Sequence, residues 1–288
     1  MSALHSVSGN TEEALARLAR VELVVTDCDG TLLYTDKTLG QPAIDAVKRL
    51  RAAGVEFTAA SSRPGRGMRH IVEPLGIDMP YASYNGGSLV MPGTWEVLSS
   101  HKLPRDVVKD ALDTLDQSGV DAWVFIDDAW YLTNPDATYV PLETRTVGYE
   151  GTRVKSFDEL DLDAVDKIVG SHADTALIER VEGQLETRLH GRGHAARSQA
   201  YYVDITNLQA NKGTAVRELA QRANVPLERV AVLGDMGNDM AMFEIAGVSI
   251  AMGQAAEKVQ RGASLVSSSN DDDGFAKALE VLLKLRGK

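Results

Sequence analysis

The stretch Val24-Val25-Thr26-Asp27-Cys28-Asp29-Gly30-Thr31-Leu32 decides how the rest of the chain is read. An apolar run ends abruptly in two carboxylates two positions apart, and a glycine follows. On an extended strand residues i and i+2 face the same side, so Asp27 and Asp29 can converge at the carboxyl edge of a sheet while Cys28 faces away. Open α/β sheets bind their ligands at that edge. Two carboxylates held close repel, and such a pair either shares a proton or holds a cation. The plainer alternative is a Cys-Asp-Gly turn that caps the next helix.

Working outward, helix and strand patterns alternate on both sides of this stretch. A short helix is expected over 11–20, leading into a strand over 22–26. Residues 42–53 place Ala43, Ala46, Val47 and Leu50 at helical spacing and stop at Gly54. A strand follows over 55–60, broken by Ser61-Ser62-Arg63-Pro64-Gly65, then a helix over 67–75, a strand over 81–83 and a strong turn at Asn85-Gly86-Gly87. From 88 to about 206 the rhythm changes. Helices are expected over 104–117 and 175–189, with a hairpin of strands over 122–126 and 130–133 around Asp127-Asp128-Ala129. The βα alternation resumes after 207: helix 212–223, strand 229–233, helix 239–246, strand 248–251. The fold class is therefore α/β, a doubly wound parallel sheet formed by 1–87 and 207–288, interrupted by an α+β cap over 88–206. The Asp271-Asp272-Asp273 run reads as a solvated loop or helix cap.

Composition narrows the partners. A chain of 288 residues suits one large or two ordinary domains. With 30 Lys+Arg against 41 Asp+Glu the net charge is −11, which argues against a nucleic-acid partner, since that needs a basic footprint. A small anionic substrate stays open, because one lysine and one divalent cation invert the local sign. The single cysteine, Cys28, makes no internal disulfide and reads as a packed structural thiol. The opening residues lack a signal-peptide apolar stretch, and no run approaches the ~18 apolar residues of a membrane span. A soluble cytoplasmic protein without membrane partners is expected, with its oligomeric state open.

Four features fall at strand ends or helix starts: Asp27-x-Asp29; Ser61 after Thr58-Ala59-Ala60; Lys212 in Asn211-Lys212-Gly213; and Gly234-Asp235-Met236-Gly237-Asn238-Asp239. Each alone is weak, since serines close strands and lysines open helices routinely. Their order, and their placement at the ends of different strands, raises them together. With these motifs the chain resembles a haloacid dehalogenase (HAD) superfamily phosphatase of the Cof-type branch. That family's motifs are Asp-x-Asp-Gly-Thr-Leu, a Thr or Ser after strand two, a Lys, and Gly-Asp-x-x-Asn-Asp. The Tyr84-Asn85-Gly86 turn, the Asp204-Ile205-Thr206 lead into the lysine and Asn270-Asp271-Asp272-Asp273-Gly274 also resemble the branch. One departure is Ser61-Ser62-Arg63 where the family has Thr-Gly-Arg. Ser61 is assigned the phosphate contact because it precedes Arg63 by two, but a loop with Ser62 in place of glycine leaves the choice between the two serines open.

The resemblance implies Mg²⁺ held by the Asp27 carboxylate, the Asp29 main-chain carbonyl and the Asp235 carboxylate, with Asn238 and Asp239 in or just behind the metal shell. It implies Asp27 as nucleophile, forming an aspartyl-phosphate, and Asp29 as general acid and base. Lys212, the Ser61 hydroxyl and the backbone amides after Asp29, at Gly30 and Thr31, would hold the phosphoryl oxygens. Ser62, Arg63, Asn85 and Gly86 border the expected cleft and would touch the substrate, a small phosphorylated metabolite, with sugar or polyol phosphates favoured by the resemblance. The cap would be the lid. His190, Arg192, His194 and Arg197 are expected on a solvated loop, and Trp123, Phe125, Trp130 and Tyr131 in the cap core. Two other functions fit part of the pattern: a phosphomutase using the same aspartate pair, and a regulatory phosphate-binding protein, which would leave Asp29 and the cap unexplained.

Overall fold

The computed structural model describes residues 4–7 and 9–287. Among them a five-stranded parallel sheet runs in the order Leu265–Val266, Val248–Ala251, Val230–Gly234, Leu23–Thr26, Glu56–Ala59. The strands on this sheet are buried almost throughout, as a sheet covered on both faces requires. On one face the helix Gln41–Ala52 lays down Ala43, Ala46, Val47 and Leu50, with Pro42 in its first turn and Gly54 in the left-handed region beyond its end. The helix Gly274–Arg286 packs beside it, placing Phe275, Leu279 and Leu282 in the same core. On the other face Ala215, Val216 and Leu219 of the helix Lys212–Arg222 meet Val230 and Val232.

The expected N-terminal helix covers Thr11–Leu18, capped by the Asn10 side chain. Ahead of it His5 exchanges two backbone hydrogen bonds with Val266 and Leu4 is fully buried, so the leading segment closes the far edge of the sheet. The other edge is extended by a parallel bridge from Ala60 to Ala82. Tyr81–Ser83 then pairs antiparallel with Ser88–Val90, and that strand with Val97–Ser100. A division at residue 88 would cut between hydrogen-bonded strands; by its pairing the hairpin goes with the core side, and the insertion proper follows it.

The insertion is a six-stranded mixed sheet in the order His194–Gln199, Tyr202–Thr206, Lys167–Ser171, Asp121–Ile126, Ala129–Leu132, Thr152–Arg153. Helices Arg105–Gln117 and Thr175–Arg188 cover one face, burying Val107, Leu115, Ile178 and Leu185 against Val124, Ile168 and Val203. Strand alternation sends Trp123 and Phe125 to the opposite face, where they join Trp130, Val169, Tyr202 and Tyr84. Trp123, Phe125 and Trp130 are thus buried, as expected, in a second apolar cluster of the cap that Tyr84 of the core joins, while Tyr131 is only half-buried.

The histidine-arginine segment is a second difference. His194 and Arg197 belong to a strand, Arg197 pairs with Glu182 at 2.8 Å, and Arg192 with Asp106 and Asp110 at 2.6 and 2.7 Å. The bases staple strand and loop to two helices. In the acidic run Asp271 and Asp272 are exposed and Asp273 stands at the start of the last helix, as expected; Asp271 also accepts from the Thr35 amide and hydroxyl, and Asp273 from the Tyr34 hydroxyl at 2.5 Å. These acids hold the loop that leaves Asp29.

Candidate active site

Thr26 stands in register with Leu233, and the Asp27 amide donates to the Leu233 carbonyl at 2.9 Å. Asp27 and Asp235 therefore leave neighbouring strands side by side. The chain proceeds from the first strand to Glu56–Ala59 on one side and returns later to Val230–Gly234 on the other, so the pair marks the point where the strand order reverses, the usual crevice of a doubly wound sheet. Carboxylate oxygens of Asp27, Asp235 and Asp239 lie within 4.8 Å of one another, and all three residues are buried.

Lys212 reaches this cluster from the first position of its helix. The Asn211 side chain accepts from the Thr214 amide at 2.8 Å and fixes the helix start. The Lys212 Nζ then donates to Asp27 Oδ1 at 2.5 Å and Asp239 Oδ1 at 2.6 Å, with the side chain 1% exposed. Burial works against the ammonium, but Asp239 and Asp27 outweigh it and hold Lys212 charged. Asp239 spends its other oxygen on the amides of Asp235 and Met236 at 2.8 and 2.9 Å. It orients the lysine and the loop that carries Asp235.

Burial drives the Asp27 carboxyl well above the usual carboxylate range, with Lys212 pulling the other way. Burial, then the charge of Asp239, pushes Asp235 up to about 7, partly offset by the Thr31 hydroxyl, which donates to Asp235 Oδ1 at 2.9 Å. Three carboxylates facing one ammonium leave negative charge in excess, which a divalent cation balances. Asn238 Oδ1, on the same loop, is buried without a hydrogen bond. An all-oxygen donor set with one orphaned oxygen fits Mg²⁺. Asp27 and Asp235 would hold it, beside Asn238.

Asp29 takes different partners from Asp27. Its carboxylate forms a two-pronged pair with Arg63, Nε to Oδ2 at 2.7 Å and Nη2 to Oδ1 at 2.8 Å, and meets Lys37 Nζ at 3.1 Å. Burial alone would raise it, but Arg63 and Lys37 prevail and hold it well below the ordinary range. Between the two acids Cys28 is fully buried, its Sγ 3.9 Å from Met68 Sδ, and burial pushes its thiol far up. It is an inert packing group. Gly30 has φ of 84°, and a Cβ there would stand 2.5 Å from Asp235 Oδ2, so only glycine lets the turn close on the cluster.

The second motif places Ser61 just past the neighbouring strand, where it is fully buried and its Oγ accepts from the Arg63 amide at 3.2 Å. Ser62 lines the cleft, and its carbonyl accepts from Lys167 of the cap at 2.9 Å. Arg63 also donates to the Thr146 carbonyl of the cap at 2.8 Å. Two expected substrate contacts have other work. Asn85 donates to Asp204 at 3.2 Å and accepts from Asn238 at 2.9 Å, tying cap, core turn and the Asp235 loop together. At Gly86 a Cβ would meet the Asn211 carbonyl at 2.6 Å, so this glycine packs on the lysine helix.

Sequence reasoning did not pick out Lys37, Glu143, Lys167 or Tyr202 as site residues. They line a cleft with Asp29 and Arg63 that encloses about 30 Å³, the space of one water. Glu143 sits in no motif; its position four residues before buried Val147 on the helix Val140–Val147 was the available signal. A buried acidic cluster clamped by a lysine at the switch point, beneath a lid, defines a class: capped α/β enzymes that transfer phosphoryl groups.

Comparison with known proteins agrees. Residues 24–279 match the family of haloacid dehalogenase-like hydrolases. An HMP-PP phosphatase of Escherichia fergusonii is 30% identical over 237 residues, 81% of this chain and 84% of the relative. A 5-amino-6-(5-phospho-D-ribitylamino)uracil phosphatase of Bacillus subtilis is 25% identical, covering 91% of this chain and 98% of that one. Among solved structures, a haloacid dehalogenase-like hydrolase from Bacteroides thetaiotaomicron superimposes with a TM-score of 0.79 at 26% identity, over 90% of this chain and 98% of its own. A HAD subclass IIB sugar phosphatase shares the fold at a TM-score of 0.80 and 23% identity, over 90% and 98%. The chain belongs to the haloacid dehalogenase-like hydrolases, as a phosphatase. Among the described residues no helix is long and apolar enough to cross a membrane.

Proposed function

We propose that the protein hydrolyses phosphomonoesters of small metabolites, sugar and polyol phosphates among them, using Mg²⁺ and an aspartyl-phosphate on Asp27. The observation that carries this reading is the clamp at the switch point: Asp27 bound to buried Lys212 and gathered with Asp235, next to a second aspartate two residues on. The named activities of the two curated relatives support a small phosphorylated substrate.

Asp27 attacks phosphorus in line. Its repulsion by the phosphate is the main obstacle, and bound Mg²⁺ supplies the charge that removes it. Lys212 holds its positive charge against the nucleophile and the transferring oxygens, while Asp239 keeps that lysine from turning away. Asp29, ionised beside Arg63 and Lys37, is set to take a proton from the water that clears the aspartyl-phosphate. Donating a proton to the leaving alkoxide comes earlier in the cycle and requires Arg63 to slacken its hold. Because Arg63 also bonds Thr146 of the cap, lid position and Asp29 protonation are linked. Inorganic phosphate released from a panel of phosphate esters, dependent on Mg²⁺, tests the reading. Interconversion of isomers without net phosphate release would make the protein a mutase instead.

A further inference from the structure

A carboxylate on the cap faces the catalytic cleft with no ion pair and no hydrogen-bonded cation to justify its burial. Glu143 is 6% exposed. It lies on the helix Val140–Val147, on the same face as Val147, which packs into the aromatic cluster. At such a position a leucine or methionine would bury at lower cost, because an unpaired buried carboxylate is expensive. The nearby Tyr202 hydroxyl is also buried and faces the Glu143 carboxylate, and neither group has another side-chain hydrogen-bond partner. Both groups line the cleft that holds Asp29. Arg63 and Lys167 are close enough to be felt, but their hydrogen bonds go to Asp29, Thr146, Ser62 and Asp204, so neither is the partner of Glu143.

An acid and a phenol that have only each other beside the proton-transferring aspartate keep acceptor capacity for the hydrogen-bond donors of a ligand. The leaving alcohol is the part of the substrate that extends past Asp29 toward the cap. We propose that Glu143 and Tyr202 form a subsite that selects phosphate esters whose alcohol carries hydroxyl or amino donors, and that rejects alcohols carrying a carboxylate. The inference rests on the phosphatase reading and deepens it by naming what the cap recognises.

The test compares kcat/KM of the Mg²⁺-loaded enzyme on sorbitol 6-phosphate, glucosamine 6-phosphate, 3-phosphoglycerate and p-nitrophenyl phosphate. The last offers no donor on its leaving group. For Glu143→Gln the ratio of the first two to p-nitrophenyl phosphate falls about tenfold or more, chiefly through KM, and 3-phosphoglycerate gains relative to it. Tyr202→Phe keeps the ring in the aromatic cluster and moves the ratios for sorbitol and glucosamine 6-phosphates the same way by a smaller factor; should Glu143→Gln fail to fold, this variant alone decides. Ratios that stay put in both variants, with all four substrates losing equally, overturn the subsite and leave the phosphatase reading standing. A wild-type enzyme that releases phosphate from none of the four overturns both.

Discussion

Asp27 and Asp29 share a strand end and little else. One is clamped by Lys212 in a buried acidic cluster, the other is gripped by Arg63 and Lys37, and this separation assigns them different tasks. Replacing Asp27 by Asn removes the nucleophile, and phosphate release should fall to background in a malachite-green assay; a variant keeping most of the parental rate would contradict the assignment. Glu143 gives a test of electrostatics without turnover. Burial pushes it from an ordinary 4.5 up to about 7. A carboxyl raised on folding stabilises the protein below its unfolded value and loses that contribution as pH climbs through the folded one. Relative to Glu143→Gln, the wild type should therefore lose stability between about pH 4.5 and pH 8, by on the order of 3 kcal/mol, read from urea melts at both ends. A constant difference would mean that the carboxyl is solvated.

At the scale of elements, turns and caps position the site more than strands do. Tyr84, Asn85 and Gly86 all have positive φ, at 51°, 59° and 93°, and this left-handed turn sets Asn85 between Asp204 and Asn238. Gly86→Ala adds strain in that turn and a Cβ against Asn211, which precedes Lys212. We expect a stability loss of about 1–3 kcal/mol and a matching fall in kcat; unchanged urea midpoint and kcat would show the turn to be passive. The turn was legible in the sequence as Asn85-Gly86-Gly87, as were the helix stop at Gly54 and the strand Val248–Ala251, because glycine and alternating apolar residues act locally. The strands Lys167–Ser171 and His194–Gln199 were not. Lys167 is buried by Asp204 and by a carbonyl of the core, and His194-Ala195-Ala196-Arg197, of which only Ala195 is buried, is held in its strand by Glu182 and by pairing with Val203. Their strand character comes from partners distant in sequence. The site divided the same way: Asp27, Lys212 and Asp235 stand in motifs, whereas Lys37, Glu143 and Tyr202 are brought in by the cap and by the loop after Asp29.

Over the whole molecule, core and cap meet through directional contacts, among them Arg63 to the Thr146 carbonyl, Lys167 to the Ser62 carbonyl, Asn85 to Asp204, and Tyr84 edge-on to Phe125 with centroids 6.0 Å apart. The cleft beside Asp29 takes up about 30 Å³, and we expect the cap to shift when a substrate binds. The proposed cation would tie the acidic cluster together. Adding millimolar Mg²⁺ should raise the melting temperature by several degrees, since ligand binding to the native state alone stabilises it, and EDTA should reverse that shift and abolish phosphate release. Equal activity and melting with and without chelator would remove the metal from the account. Whether Asp27 carries the phosphoryl group is read by intact-mass analysis of the Asp29→Asn variant, quenched after mixing with a phosphate ester and Mg²⁺. One trapped phosphoryl adduct is expected, and peptide mapping should place it on Asp27. Phosphate release without any such adduct, or an adduct on another residue, would contradict that role for Asp27.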